Sequence, residues 1–177
     1  MKNIKESELI LNPDGSVYHL NLKPENIAND IIFVGDQNRV EAITNYFDVV
    51  EFSTQKREFK TQTGSYKGKR LTVISTGIGP DNIDIVLNEL DALVNIDFAT
   101  KTVKPNLTSL NIVRVGTSGS LQENIPVDSL LMSAFAVGTD NMLRSYSLQD
   151  VTNQAIEKAF VSHTNWDLSK GLPYVIA

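Results

Sequence analysis

Three short segments of the 177-residue sequence join glycine to residues able to hold an anion. The first is Gly35-Asp36-Gln37-Asn38-Arg39, which follows an apolar run and precedes a helical pattern. Glycine there lets the backbone approach a ligand closely. A helix starting next to it offers unpaired N–H groups and a positive dipole end. Arg39 in the first helical turn opposes that dipole unless an anion sits beside it; the competing reading is a solvated arginine on a surface helix. The second segment is Arg114-Val115-Gly116-Thr117-Ser118-Gly119. Arg114 interrupts a run that reads as a buried strand, and a buried guanidinium must meet a carboxylate or a bound anion. The turn after it adds backbone N–H groups and two hydroxyls, while the alternative is an internal ion pair with one of the 21 acids. The third segment, Ser75-Thr76-Gly77-Ile78-Gly79-Pro80, lacks the last glycine of a dinucleotide fingerprint and follows a late strand. It reads as a turn that packs a helix on a sheet.

Other residues carry less. Arg57 in Lys56-Arg57-Glu58-Phe59 reads by default as part of a solvated charged pair at a strand turn, and His19 as a structural histidine. His163 has no constellation around it. Gly64 to Lys69 lacks the spacing of a P-loop. There is no cysteine, no metal-ligand spacing and no legible Ser/His/Asp set. Any chemistry therefore rests on anion binding and not on a side-chain nucleophile. The net charge of -5 gives no general field for nucleic acid or anionic lipid, so an anion must be held by local cations and backbone donors.

The elements that would position these turns follow from periodicity. Ile31 to Val34 predicts a strand, and Val40, Ile43 and Phe47 a helix after it. Residues 48–56, 60–67 and 70–76 predict three more strands, with Lys67-Gly68-Lys69 as a hairpin turn. Ile83, Val86, Leu87, Leu90, Leu93 and Val94 mark one face of a helix, with Asn82 or Asp81 as its N-cap. Residues 110–115 predict a buried strand and 129–137 another, and Val151, Ala155, Ile156, Ala159 and Phe160 mark a further amphipathic helix. Strands alternating with helices predict an α/β layer fold, whose ligands bind beyond the carboxyl ends of the strands. Residues 1–16, with a turn at Asn12-Pro13-Asp14-Gly15, read as a loosely attached leader, and 17–177 as a single domain. The apolar runs are too short to span a membrane. The amino terminus lacks the apolar core of about 7–15 residues that a secretory signal needs. These features favour the cytoplasm.

The segments, in this order, resemble the nucleoside phosphorylases of the uridine phosphorylase and hexameric purine nucleoside phosphorylase type. That family's Gly-Asp-Pro-x-Arg-Val is here Gly35-Asp36-Gln37-Asn38-Arg39-Val40. Its Arg-Glu-Phe is Arg57-Glu58-Phe59, its Ser-Thr-Gly-Ile-Gly is Ser75 to Gly79, and its Arg-Val-Gly-Thr-x-Gly is Arg114 to Gly119. The family's histidine before the first strand matches His19. The match runs from about Val17 to Val137 and then thins.

The resemblance implies a three-layer fold with a mixed central sheet flanked by helices. It implies phosphorolysis of a nucleoside, uridine favoured, with inorganic phosphate as co-substrate and no cofactor. Arg114 and Arg39 would be the catalytic residues; Gly35, Arg39, Arg57, Arg114, Gly116 and Thr117 would hold phosphate. His19, Thr117, Ser118 and Gly119 would hold the ribose or nucleoside. Arg57 and His19 would come from the neighbouring subunit of a homodimer or a trimer of dimers. No metal is expected, although some relatives hold a monovalent cation near the residue matching Glu58. Gln37 stands where the family has proline, which loosens a turn that proline would pre-set. The family's carboxy-terminal base-recognition residues have no counterpart before Ala177, so the sequence reads as an amino-terminal portion with the carboxy-terminal part missing. Its alternatives are a non-catalytic relative that binds phosphate or only oligomerises, and a hydrolytic nucleosidase.

Overall fold

A computed structural model describes residues 3–148 and 151–176. They form two compact units, Met1–Ser118 and Gly119–Ala177.

In the first unit, β1 (Asp30–Val34) leads into α1 (Asn38–Thr44). A meander follows: β2 (Val49–Lys56), β3 (Phe59–Tyr66) and β4 (Lys69–Ser75). Then come α2 (Pro80–Asn95), a small ladder of β5 (Ile96–Asp97) with β6 (Thr102–Val103), and β7 (Asn111–Arg114). The main sheet has the order β2-β3-β4-β1-β7, with β1 parallel to both β4 and β7 and the meander antiparallel. Alternation along β1 decides the layers, because successive side chains leave a strand on opposite faces. Ile31 and Phe33 join Val86, Leu90 and Leu93 of α2 in the larger core. Ile32 and Val34 join Val40 and Ile43 of α1 on the other face. One helix therefore covers each face, giving the mixed three-layer arrangement that the resemblance implies.

The turns have local causes. Lys67 (φ 50°) and Gly68 (φ 77°) both take positive φ, the geometry that matches the twist of a two-residue hairpin. The β2–β3 pairing slips between Val50 and Phe52, where Gly64 lies opposite. A Cβ on Gly64 would lie 2.1 Å from the Val49 carbonyl oxygen and 2.8 Å from the Phe47 ring. Gly64→Ala is accordingly expected to destabilise the protein by about 1–3 kcal/mol, read as a lower urea midpoint at unchanged m-value.

Several expectations need correction. The helix α2 starts at Pro80, with Gly79 (φ 106°) as its cap, and not at Asn82 or Asp81. Proline lacks the N–H that the first helical turn leaves unpaired anyway, so it opens the helix without loss. The strand at 110–115 exists as β7, but it is exposed throughout and not buried. It forms one edge of the sheet, and β1 is its only strand neighbour among the described residues. Among the described amino-terminal residues, Ile4, Leu9 and Leu11 are packed and not loose. Leu9 buries against Ala92 and Ile96, the Ile4 N–H donates to the Lys101 carbonyl at 2.8 Å, and Leu11 bridges to Val17 around the predicted turn.

The second unit holds β8 (Ala136–Gly138), α3 (Gln154–Thr164) and β9 (Tyr174–Ile176), with β8 and β9 antiparallel. Only the end of the predicted strand 129–137 forms; Leu130 and Met132 lie fully exposed, with no strand beside them among the described residues. Val151 precedes α3, whose N-cap Asn153 accepts from the Ile156 N–H. Burial, reinforced by a 2.6 Å hydrogen bond to Asp140, pushes the Tyr174 hydroxyl up to about 12.

Candidate functional site

Parallel pairing of β1 with β4 and β7 puts their carboxyl ends on one side of the sheet. Val34 sits opposite Ser75, and Phe33 opposite Arg114. The Thr76 N–H donates to the Val34 carbonyl at 2.8 Å, and the Val115 N–H to the Phe33 carbonyl at 2.8 Å. These bonds carry the pairing into the turns, so the three glycine segments of the sequence meet at one place.

Arg114 lies at the centre of that meeting. A Cβ built on Gly35 would lie 3.8 Å from its Nη2 and 4.0 Å from the Gly77 carbonyl oxygen. A Cβ on Gly116 would lie 2.6 Å from its Nη1. The guanidinium thus spans from Gly35 to Gly116, and the lack of a side chain at 116 lets it fold there. Burial was the expected reason for Arg114 to need an anion, and that reason does not hold, because Arg114 is exposed. The internal ion pair does not hold either: among the described residues, neither Arg114 nor Arg39 pairs with a carboxylate. Arg39 stands on the first turn of α1, half-buried, directly after the first glycine turn. Thr117 and Ser118 continue exposed beyond β7, and Gly119 opens the second unit.

Beside this point the first and third turns enclose a pocket of about 370 Å³, to which Gly35, Asp36, Glu58, Gly77 and Asn82 contribute. The third turn does more than pack a helix. Gly77 has φ 68°, and a Cβ there would lie 2.9 Å from Glu58 Cγ and 2.8 Å from Asn82 Nδ2. Glycine is what lets the β2–β3 hairpin close onto this turn. The Asn82 amide donates to the Ile78 carbonyl at 3.2 Å. Among the described residues no group of three or more His, Cys, Asp or Glu side chains could hold a metal ion.

Gln37 fills the place of the family's proline with a structural bond. Its amide nitrogen donates to the Arg57 carbonyl at 3.0 Å, and its oxygen accepts from Gln55 at 2.7 Å. The turn is therefore tied to the hairpin and not merely loosened. The tip residue Arg57 (φ 55°) is exposed.

His19 and Arg57, 38 positions apart in the sequence, share one patch through Tyr18. The Tyr18 ring meets His19 edge-on at 4.9 Å, carries Lys56 Nζ at 4.4 Å, and has the Arg57 guanidinium 5.9 Å from its centroid. Lys56 also donates to the Tyr18 carbonyl. Among the described residues no hydrogen bond or ion pair links the His19 or Arg57 side chain to Arg114 or Arg39. Two contributors escaped the sequence reading: Tyr18, whose packing depends on a hairpin 38 residues away, and Glu89, which holds His19.

A mixed sheet with a helix on each face and glycine turns gathered at its carboxyl edge defines an α/β protein of the phosphorylase-like fold. The chain belongs to the phosphorylase superfamily, whose family model matches residues 30–172. It is similar to a solved Trypanosoma brucei nucleoside phosphorylase, described as showing uridine phosphorylase activity. The identity is 34% and the TM-score 0.82, covering 96% of this chain and 57% of that one. It is 31% identical to a uridine phosphorylase of Thermococcus kodakarensis over 133 residues, 75% of this chain and 43% of the relative. It is 30% identical to a DeoD-type purine nucleoside phosphorylase of Streptococcus thermophilus over 166 residues, 90% of this chain and 64% of the relative. The chain thus spans roughly half to two-thirds of the length of these relatives.

Proposed function

We propose that this chain carries the phosphate site of a nucleoside phosphorylase that cleaves the N-glycosidic bond of a nucleoside, uridine favoured. The observation that carries the reading is the Arg114 guanidinium, without an ion pair among the described residues, spanning Gly35 and Gly116 at the carboxyl ends of parallel strands. An oxygen of inorganic phosphate forms the new bond to C1′. The N-glycosidic bond breaks, and its electron pair leaves with the base, which takes up a proton. Phosphate is the nucleophile, which suits a site without an activated side chain. Charge develops as in glycoside cleavage through an oxocarbenium-like state, so catalysis lies in positioning and electrostatics.

In this reading Arg114 and Arg39 hold phosphate bidentately with the backbone of Gly35 and Gly116, Thr117 bridges to ribose, and Ser118 and Gly119 border the nucleoside. The patch of His19 and Arg57 faces the site of a second copy, with His19 on the ribose 5′-hydroxyl and Arg57 on phosphate. The common patch around Tyr18 supports this pairing. No cofactor is needed, the minimum unit is a homodimer, and the protein works in the cytoplasm. Uridine is favoured on the activity described for the Trypanosoma brucei protein, aligned over 96% of this chain.

A second reading takes the exposed Arg114 guanidinium beside Gly35 as an anion holder alone. In that reading it binds phosphate without turnover. Incubation with uridine or inosine, with and without inorganic phosphate, separates the readings. Phosphorolysis yields ribose 1-phosphate from uridine only when phosphate is present. Base release without phosphate indicates a nucleosidase, and calorimetric phosphate binding without product indicates the non-catalytic form. Neither product nor phosphate binding overturns both.

A further inference from the structure

We infer that Glu89 is a positioning residue: it holds the His19 ring with the proton on Nδ1, so that Nε2 faces outward as a hydrogen-bond acceptor for a substrate hydroxyl. The inference rests on the proposed reading of His19 as a ribose-binding residue.

Glu89 lies on α2, and its side chain is only 15% exposed. Its two oxygens gather donors from one short segment. The His19 N–H reaches Oε1 at 2.8 Å and Oε2 at 3.1 Å, and the Leu20 N–H reaches Oε2 at 2.8 Å. His19 Nδ1 lies 2.7 Å from Oε1. An ionised carboxylate can only accept, so the ring nitrogen facing it carries the proton. In the neutral imidazole the other nitrogen is then an acceptor, and a hydroxyl is the group that satisfies it.

The arrangement fixes the ring as well as its proton. Val17 and Leu20 are fully buried in the larger core on either side of Tyr18 and His19. The Asn21 N–H closes the segment by donating to the Val17 carbonyl at 3.1 Å, and Asn21 takes φ 55°. The Tyr18 ring packs against it nearly perpendicular, with the ring centroids 4.9 Å apart. The side chain is about one-quarter exposed, and among the described residues no hydrogen bond engages Nε2.

The chain has two histidines, so a His163→Gln background leaves His19 as the sole imidazole for long-range proton–nitrogen NMR. His163 lies exposed on α3, in the second unit and outside the proposed site. The spectrum of the folded protein is expected to show the Nδ1–H tautomer, and a dominant Nε2–H tautomer overturns the inference whether or not the protein turns over. Glu89→Gln, which offers one oxygen where two are in use, is expected to lose that tautomeric preference. In kinetics, wild type should prefer uridine over 5′-deoxyuridine in kcat/KM by about tenfold, the scale of one hydrogen bond, and both Glu89→Gln and His19→Ala should erase the preference. Preference retained by Glu89→Gln overturns the inference. Should the tautomer hold but His19→Ala keep the preference, the assignment of His19 to ribose is what fails, while the hold of Glu89 on the ring stands. A Glu89→Gln variant that fails to fold, read by circular dichroism, leaves the wild-type tautomer to decide.

Discussion

Arg114→Ala is expected to lower kcat/KM for uridine phosphorolysis by about 10²–10³-fold, the usual effect of removing one preorganised donor from a charged transition state. Stability should stay within about 0.5 kcal/mol, because the residue sits on an exposed edge strand and has no ion pair among the described residues. The combination is informative. An arginine used by the fold would lose stability and activity together. One held ready for an anion loses activity alone. Arg114→Lys should recover little, since an ammonium cannot bridge two oxygens as a planar fork does. The measurement is steady-state kinetics against varied phosphate, beside a urea melt. Wild-type kinetics with saturating phosphate affinity in Arg114→Ala would remove the centre of the proposed site.

Gly35→Ala should separate ligand space from fold in the same way. Gly35 is not among the residues with positive φ, and an added Cβ would sit in ordinary contact, 3.8 Å from Arg114 Nη2 and 4.0 Å from the Gly77 carbonyl. Among the described residues nothing requires glycine there. Alanine should even stabilise the protein slightly, by about 0.4–1 kcal/mol, through the unfolded chain. Its methyl group, however, would stand between the turn backbone and the Arg114 guanidinium, in the space assigned to phosphate. An overpacking cost of about 1–3 kcal/mol translates into a loss of phosphate affinity of about 5- to 150-fold. Calorimetric titration with phosphate reads the affinity, and thermal melting reads the fold. Undiminished phosphate binding would place the anion elsewhere. Gly77 is the contrast: its positive φ and its contact with Glu58 make it a requirement of the fold, so substitution there would not isolate the ligand.

The limits of sequence reading show in particular residues. The three meander strands and their hairpin turn were legible because alternation and a Lys-Gly turn are local signals. The exposure of β7 was not. Its apolar Ile112 and Val113 look the same in a central strand and at an edge, and only the order β4-β1-β7 makes the difference. Gln37 read as a loosened turn because its partners, Arg57 and Gln55, lie on a hairpin about which residue 37 carries no local information. Nothing local singles out Glu89 on α2, yet it is bonded to a segment 70 residues earlier.

Local composition alone determined where the chain could turn tightly and which faces of strands and helices were apolar. Those properties follow from backbone sterics and side-chain period, which each residue and its immediate neighbours set. The tertiary structure decided the neighbours: that residue 33 pairs with 114 and residue 34 with 75, so that three separate glycine turns share one edge. It also decided that the Arg114 guanidinium faces Gly35 with no carboxylate beside it among the described residues. Strand order is a competition among long-range pairings, and no single segment encodes its outcome.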